Sequence, residues 1–149
     1  GQFLSEEKVK LVGKKGTLQV SVLGPARSAA QVEVSITDKR TLGVEAPVRE
    51  SGNLEGAGTI TIEGPKGVKD IPAAIVAHNH IHVPTDIARK MNMKDGERVS
   101  VQMLTERMLT FDDVVIRVSD KYRYKMHIDF DEANAAMVSG FTLGKIIRH

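Results

Sequence analysis

Cysteine and tryptophan are both missing from this sequence, and aromatic residues make up only 4% of it. Without cysteine there is no disulfide, no thiolate zinc site and no cysteine nucleophile, which fits a reducing compartment. The 4 phenylalanines and 2 tyrosines supply few of the stacking platforms that single-stranded nucleic acid requires. An excess of one charge is lacking too: 21 basic against 19 acidic side chains leave a net charge of +2. That balance calls for neither nucleic acid nor an anionic membrane as partner. No apolar run reaches the roughly 18 residues of a membrane-spanning helix. The start, Gly1-Gln2-Phe3-Leu4-Ser5-Glu6-Glu7, lacks the basic-then-apolar order of a signal peptide, so a cytoplasmic location is expected. With no initiator methionine, the sequence reads as an excised or trimmed piece. Also absent are a Gly-x-Ser-x-Gly elbow, a phosphate loop ending in Gly-Lys-Ser/Thr and a dinucleotide fingerprint.

What is present reads as short strands. The 149 residues, 41% hydrophobic and 27% charged, suit one medium domain or two small ones. Val9–Val12 and Leu18–Val22 flank Gly13-Lys14-Lys15-Gly16, a hairpin signature. Val32–Ile36 alternates as another strand, and Thr59–Glu63 runs into a second turn, Gly64-Pro65-Lys66-Gly67. Thr85–Met91 has the spacing of a short amphipathic helix, with Ile87 and Met91 four apart. Arg98–Gln102, Leu109–Phe111, Val114–Val118 and Tyr124–Ile128 read as further strands. Asp131–Met137 reads as a helical turn or two with acids at its start. Frequent glycine turns between many short strands point to a mainly β fold built from small barrels and capped by short helices.

An internal similarity points to two such barrels. Val22–Arg27 followed by Val32–Asp38 aligns at a constant offset with Ile116–Lys121 followed by Met126–Glu132. This predicts related barrels over residues 1–77 and 78–149. The alignment sets Glu33 over His127 and Arg27 over Lys121.

Three of the 5 histidines alternate in Ala77-His78-Asn79-His80-Ile81-His82, at the end of the apolar run Ile71–Val76. In a strand these three share one face, and neutral imidazoles gathered there can hold a divalent cation. His80 and His82, completed by His127, would suit zinc or a similar ion with open positions. His78 is the weaker member, and His149 reads as a solvated terminus. Arg27 lies in a Gly-Pro-x-Arg loop, where a guanidinium fork matches phosphate or carboxylate oxygens. Glu33 faces away from Val32 and Val34, as a wet-face residue or a hard metal ligand.

Together these segments resemble the PduL-type phosphate propanoyltransferases, the phosphotransacylases linked to bacterial microcompartments. The matching stretches are Leu23–Arg27, Gln31–Ser35, Thr41–Gly52, His80–His82, Val118–Tyr122, Met126–Asp129 and Asp131–Ala136, spread over nearly the whole chain. The resemblance implies two β-barrels per subunit, a dimetal zinc site, a homodimer, and exchange of an acyl group between coenzyme A and phosphate. It places His80, His82 and His127 on one zinc, Glu33 on a second, and phosphate on Arg27. The family's first His-x-His pair precedes residue 1, so two ligands of the Glu33 metal are expected to be missing from the sequence as it stands. Asn79 stands where the family tends to have arginine. Shell or cargo proteins of a microcompartment are further expected partners. Two other readings remain: a non-catalytic β-barrel module that binds a metal or an anion, and a zinc-dependent hydrolase of a small ester.

Overall fold

The computed structural model describes residues 3–149, so the first two positions of the expected first barrel lie outside the described residues. The chain divides into two compact units, the first ending at Ala77 and the second running His78–His149. Each is a curled half-barrel sheet with short helices, so the protein is mainly β. No helix among the described residues is long and apolar enough to cross a membrane.

The first unit opens with the expected hairpin, β1 (Phe3–Val12) and β2 (Thr17–Gly24). It continues through β3 (Val32–Glu33), α1 (Ile36–Leu42), β4 (Val48–Arg49), β5 (Gly58–Gly64) and β6 (Gly67–Ala77). The sheet order is β2-β1-β5-β6-β3, with β4 also paired to β6. Leu11, Val34, Leu42, Ile60 and Ala74 fill its core. Backbone passes close over β5 at Gly58, where a Cβ would collide with the Glu45 carbonyl. Gly58→Ala is therefore expected to destabilise the fold by about 1–3 kcal/mol, as overpacking does. Chemical denaturation checks this, and an unchanged midpoint would show that the Glu45 segment yields freely.

The expected strand Val32–Ile36 is a correction. Only Val32–Glu33 pairs, parallel to β6, and the chain then turns into α1. Ser35 ends the strand because its Oγ accepts a hydrogen bond from the Asp38 amide at 3.0 Å and caps the helix. Gly43, at φ 70°, closes the helix in the left-handed region.

The second unit comprises β7 (His80–Val83), α2 (Thr85–Met91), β8 (Arg98–Met103), β9 (Thr110–Val118), β10 (Lys125–His127), α3 (Phe130–Ala135) and β11 (Gly144–Ile147). The sheet order is β10-β7-β9-β8-β11, with β7 parallel to β9 and antiparallel to β10. Ile81, Val83, Val99, Val101, Val114 and Ile116 form its core. α2 occupies the helical stretch expected from its spacing. The two strands expected on either side of Asp112-Asp113 form one strand, β9, whose pairing with β8 shifts register there. A bulge absorbs the two acids without ending the strand. β4 and β11 carry no sequence signal strong enough to have been expected.

The internal alignment has a local counterpart. Ser35 and Asp129, which coincide in it, are both N-caps, each following a short strand and opening a short helix. Glu33 and His127 each stand two residues before the cap. The neighbours differ, since β3 lies parallel to β6 whereas β10 is antiparallel to β7.

Candidate functional site

His80, His82 and His127 come together because of strand register. β7 places His80 and His82 on one face, with Ile81 and Val83 turned into the core. β10 sets His127 directly opposite His80 and Lys125 opposite His82, and directly opposed side chains in an antiparallel pair are close neighbours. The ring centroids of His80 and His127 are 5.1 Å apart and nearly parallel. Those of His82 and His127 are 4.2 Å apart, and those of His80 and His82 4.9 Å apart. The His82 ring also stacks on Tyr122 at 3.8 Å, with 5° between the planes.

The electrostatics keep the His82 and His127 rings neutral at ordinary pH. Burial, then the neighbouring His127 and His80, then Arg117, push His82 down to about 4. Burial, then His80 and Lys125, push His127 down to about 4. His80 Nδ1 lies 2.8 Å from the His78 carbonyl; a carbonyl only accepts, so Nδ1 carries the hydrogen, and in the neutral ring the lone pair is on Nε2. A backbone carbonyl that orients an imidazole in this way is a usual support for a metal-ligating histidine.

The donor chemistry therefore fits a borderline divalent cation. The ring orientations do not yet form a cage: among the described residues no group of three or more His, Cys, Asp or Glu is arranged to hold a metal ion. The His80 and His127 rings lie nearly parallel, with 8° between their planes.

The low values of His82 and His127 have a consequence for stability. Both rings are neutral in the folded and unfolded states above the ordinary value of 6.5. Below it the unfolded chain takes up protons that the folded chain refuses until about pH 4. The metal-free protein is thus expected to lose stability as pH falls from 6.5 toward 4. Glu132, raised by burial, works in the opposite sense with one group against two. Melting temperatures across that window test the sign, and a flat or rising profile toward low pH would contradict it.

His78 stays apart from the three rings. The expectation of three alternating histidines in one strand is corrected by a break between Ala77 and His80. His78 Nδ1 donates to the Asn79 carbonyl at 2.8 Å, and Nε2 lies 3.3 Å from Asp113 and from Arg98. His149 is exposed, as read from the sequence, yet its Nε2 lies 3.1 Å from Ser100 Oγ.

Arg27 and Glu33 belong to the first unit. Arg27 is exposed in the loop between β2 and β3 and has no hydrogen bond or ion pair among the described residues. Glu33 is exposed on β3, and its Oε1 accepts a hydrogen bond from Gln31 Nε2 at 2.8 Å. Gln31 is itself tied to Ser51 Oγ and the Gly52 amide, so the Glu33 carboxylate is oriented from behind.

Gln31, Tyr122 and the pair Asn79–Glu132 are supporting residues that sequence reasoning did not assign. Asn79 Nδ2 donates to Glu132 Oε2 at 2.7 Å. Glu132 and Asp129 form the capping box of α3. One hydrogen bond thus links the start of β7 to the helix that follows His127. The Asp-x-x-Glu spacing at 129–132 was a readable signal for the box; nothing local marks the Asn79 end, and its buried Oδ1 has no hydrogen-bond partner among the described residues.

Comparison with known proteins agrees in the family it points to. A curated relative from Clostridioides difficile (strain 630), named phosphate propanoyltransferase, is 47% identical over 99% of this chain and 72% of its own length. Relatives of the same name from Leptotrichia buccalis and Sebaldella termitidis are 48% and 45% identical, over 97% and 99% of this chain and 68% and 71% of their own lengths. That name denotes an acyltransferase. Residues 1–139 match the family described as phosphate propanoyltransferase, and the chain belongs to that family.

Proposed function

We propose that this chain is a phosphotransacylase that interconverts a short acyl-coenzyme A plus phosphate with acyl phosphate plus free coenzyme A, propanoyl-coenzyme A being the first substrate to test. Family membership over residues 1–139 carries the reading. In the forward direction a phosphate oxygen bonds to the acyl carbon, the carbon–sulfur bond breaks, and the thiolate leaves and takes up a proton. The sequence has no cysteine, which favours direct attack by phosphate over a thioester on the protein.

Arg27 binds and orients the phosphate, for which its exposed fork is suited. His80, His82 and His127 would hold a zinc ion, and the low proton affinity of His82 and His127 supports this. Glu33 would be a ligand of a second ion, with Gln31 fixing its carboxylate. Zinc in such a site supplies Lewis acidity toward a carbonyl or phosphoryl oxygen. The resemblance also supports a homodimer, a cytoplasmic location and an association with microcompartment proteins.

The test measures acyl phosphate and released thiol from propanoyl-coenzyme A with and without phosphate, alongside zinc content of the purified protein. Phosphate-dependent thiol release is the expected result. Thiol release that needs no phosphate would favour a hydrolase. Zinc uptake without turnover would favour a binding module.

A further inference from the structure

The His82 ring is held differently from that of His80. His80 is oriented by its Nδ1 hydrogen bond to a backbone carbonyl. Among the described residues no hydrogen bond reaches either nitrogen of His82. The torsion that sets an imidazole plane is broad and roughly two-fold, so strand geometry alone leaves this plane open. Contacts close it instead: Tyr122 lies against one face at 3.8 Å and 5°, and the tilted His127 ring is 4.2 Å away.

Local structure delivers Tyr122 to that place. β7 and β9 run parallel with Val83 beside Val118, so β9 ends next to the end of β7. The Ser119 amide then donates to the Val83 carbonyl at 3.2 Å. A turn follows, in which the Tyr122 amide donates to the Ser119 carbonyl and the Lys121 amide to Ser119 Oγ, both at 3.2 Å. The turn is thus pinned to the strand that bears His82, one residue beyond it.

We propose that Tyr122 is a positioning residue of the histidine cluster, its aromatic ring fixing the plane of His82 in place of the hydrogen bond that a metal-ligating histidine ordinarily makes. The proposal rests on the reading of His80, His82 and His127 as metal ligands. It assigns the role to the ring and not to the hydroxyl. Phenylalanine should therefore substitute for Tyr122, whereas an apolar side chain of similar size without a ring should not.

The experiment compares the wild-type chain with Tyr122→Phe, Tyr122→Met and His82→Ala. Zinc affinity is read by competition with a chromophoric chelator, and the His82 ring-proton shifts by NMR on the metal-free protein. Wild type and Tyr122→Phe should bind zinc alike and show His82 ring protons moved upfield by the stacked ring. Tyr122→Met should lose the upfield shift and bind zinc roughly 10- to 100-fold more weakly, the usual loss when a ligand's support is removed. Zinc binding lost in His82→Ala but intact in Tyr122→Met would overturn the role of Tyr122 alone. Equal zinc binding in wild type, His82→Ala and Tyr122→Met would overturn the metal reading beneath it. If Tyr122→Met does not fold, the shifts of wild type and Tyr122→Phe decide: without an upfield His82 resonance in both, the stacking role fails.

Discussion

Replacing His127 with alanine should weaken zinc binding by roughly 100-fold or more and reduce acyl phosphate formation to a comparable extent. Loss of a group that merely supports a ligand already costs roughly 10- to 100-fold in metal affinity, and His127 is read as a ligand itself. It is also the one member of the trio contributed by a second strand, opposite His80 in the β7–β10 register. Its removal leaves two imidazoles on a single strand, too few for the three protein ligands usual at a catalytic zinc. The ring is partly buried and packed on His80, so the melting temperature of the metal-free variant has to be read beside the chelator titration. A His127→Ala protein that folds, binds zinc as tightly as wild type and turns over normally would end the three-histidine reading.

Arg27→Ala should act on phosphate and leave the fold alone. The side chain is exposed and has no hydrogen bond or ion pair among the described residues, so truncation removes nothing that holds β2 to β3. A charge-assisted hydrogen bond is worth about 1.5–3 kcal/mol net, so the phosphate concentration for half-saturation should rise by roughly 10- to 100-fold. Turnover should fall as well, because an unclamped phosphate spends less time at the attack angle. Arg27→Lys keeps the charge and loses the planar fork, and should fall between the two. Steady-state kinetics with phosphate varied at saturating acyl-coenzyme A decide it. Wild-type phosphate saturation in Arg27→Ala would place the phosphate elsewhere.

Alternation and turn chemistry made much of the fold readable. The hairpin around Gly13-Lys14-Lys15-Gly16 forms as β1 and β2, and the one around Gly64-Pro65-Lys66-Gly67 joins β5 to β6. Reading failed where a local side chain outcompeted the strand pattern, as Ser35 does in capping α1, and where pairing absorbed an apparent break, as at Asp112-Asp113. β11 was unreadable because Gly144–Ile147 is a strand only by virtue of its pairing with β8.

The sequence by itself determined the chemistry on offer. Its lack of cysteine removes thiol chemistry, its alternating His80 and His82 must share a face if the chain is extended there, and its motifs carry the family. Only the tertiary structure decided which groups meet. Register between β7 and β10 sets His127 opposite His80, the break after Ala77 turns His78 toward Asp113 and Arg98, and the parallel pairing of β7 with β9 lays Tyr122 on His82. Period-2 alternation is a property of one strand, whereas the partner across a sheet is chosen by hydrogen bonding and packing between segments far apart in sequence.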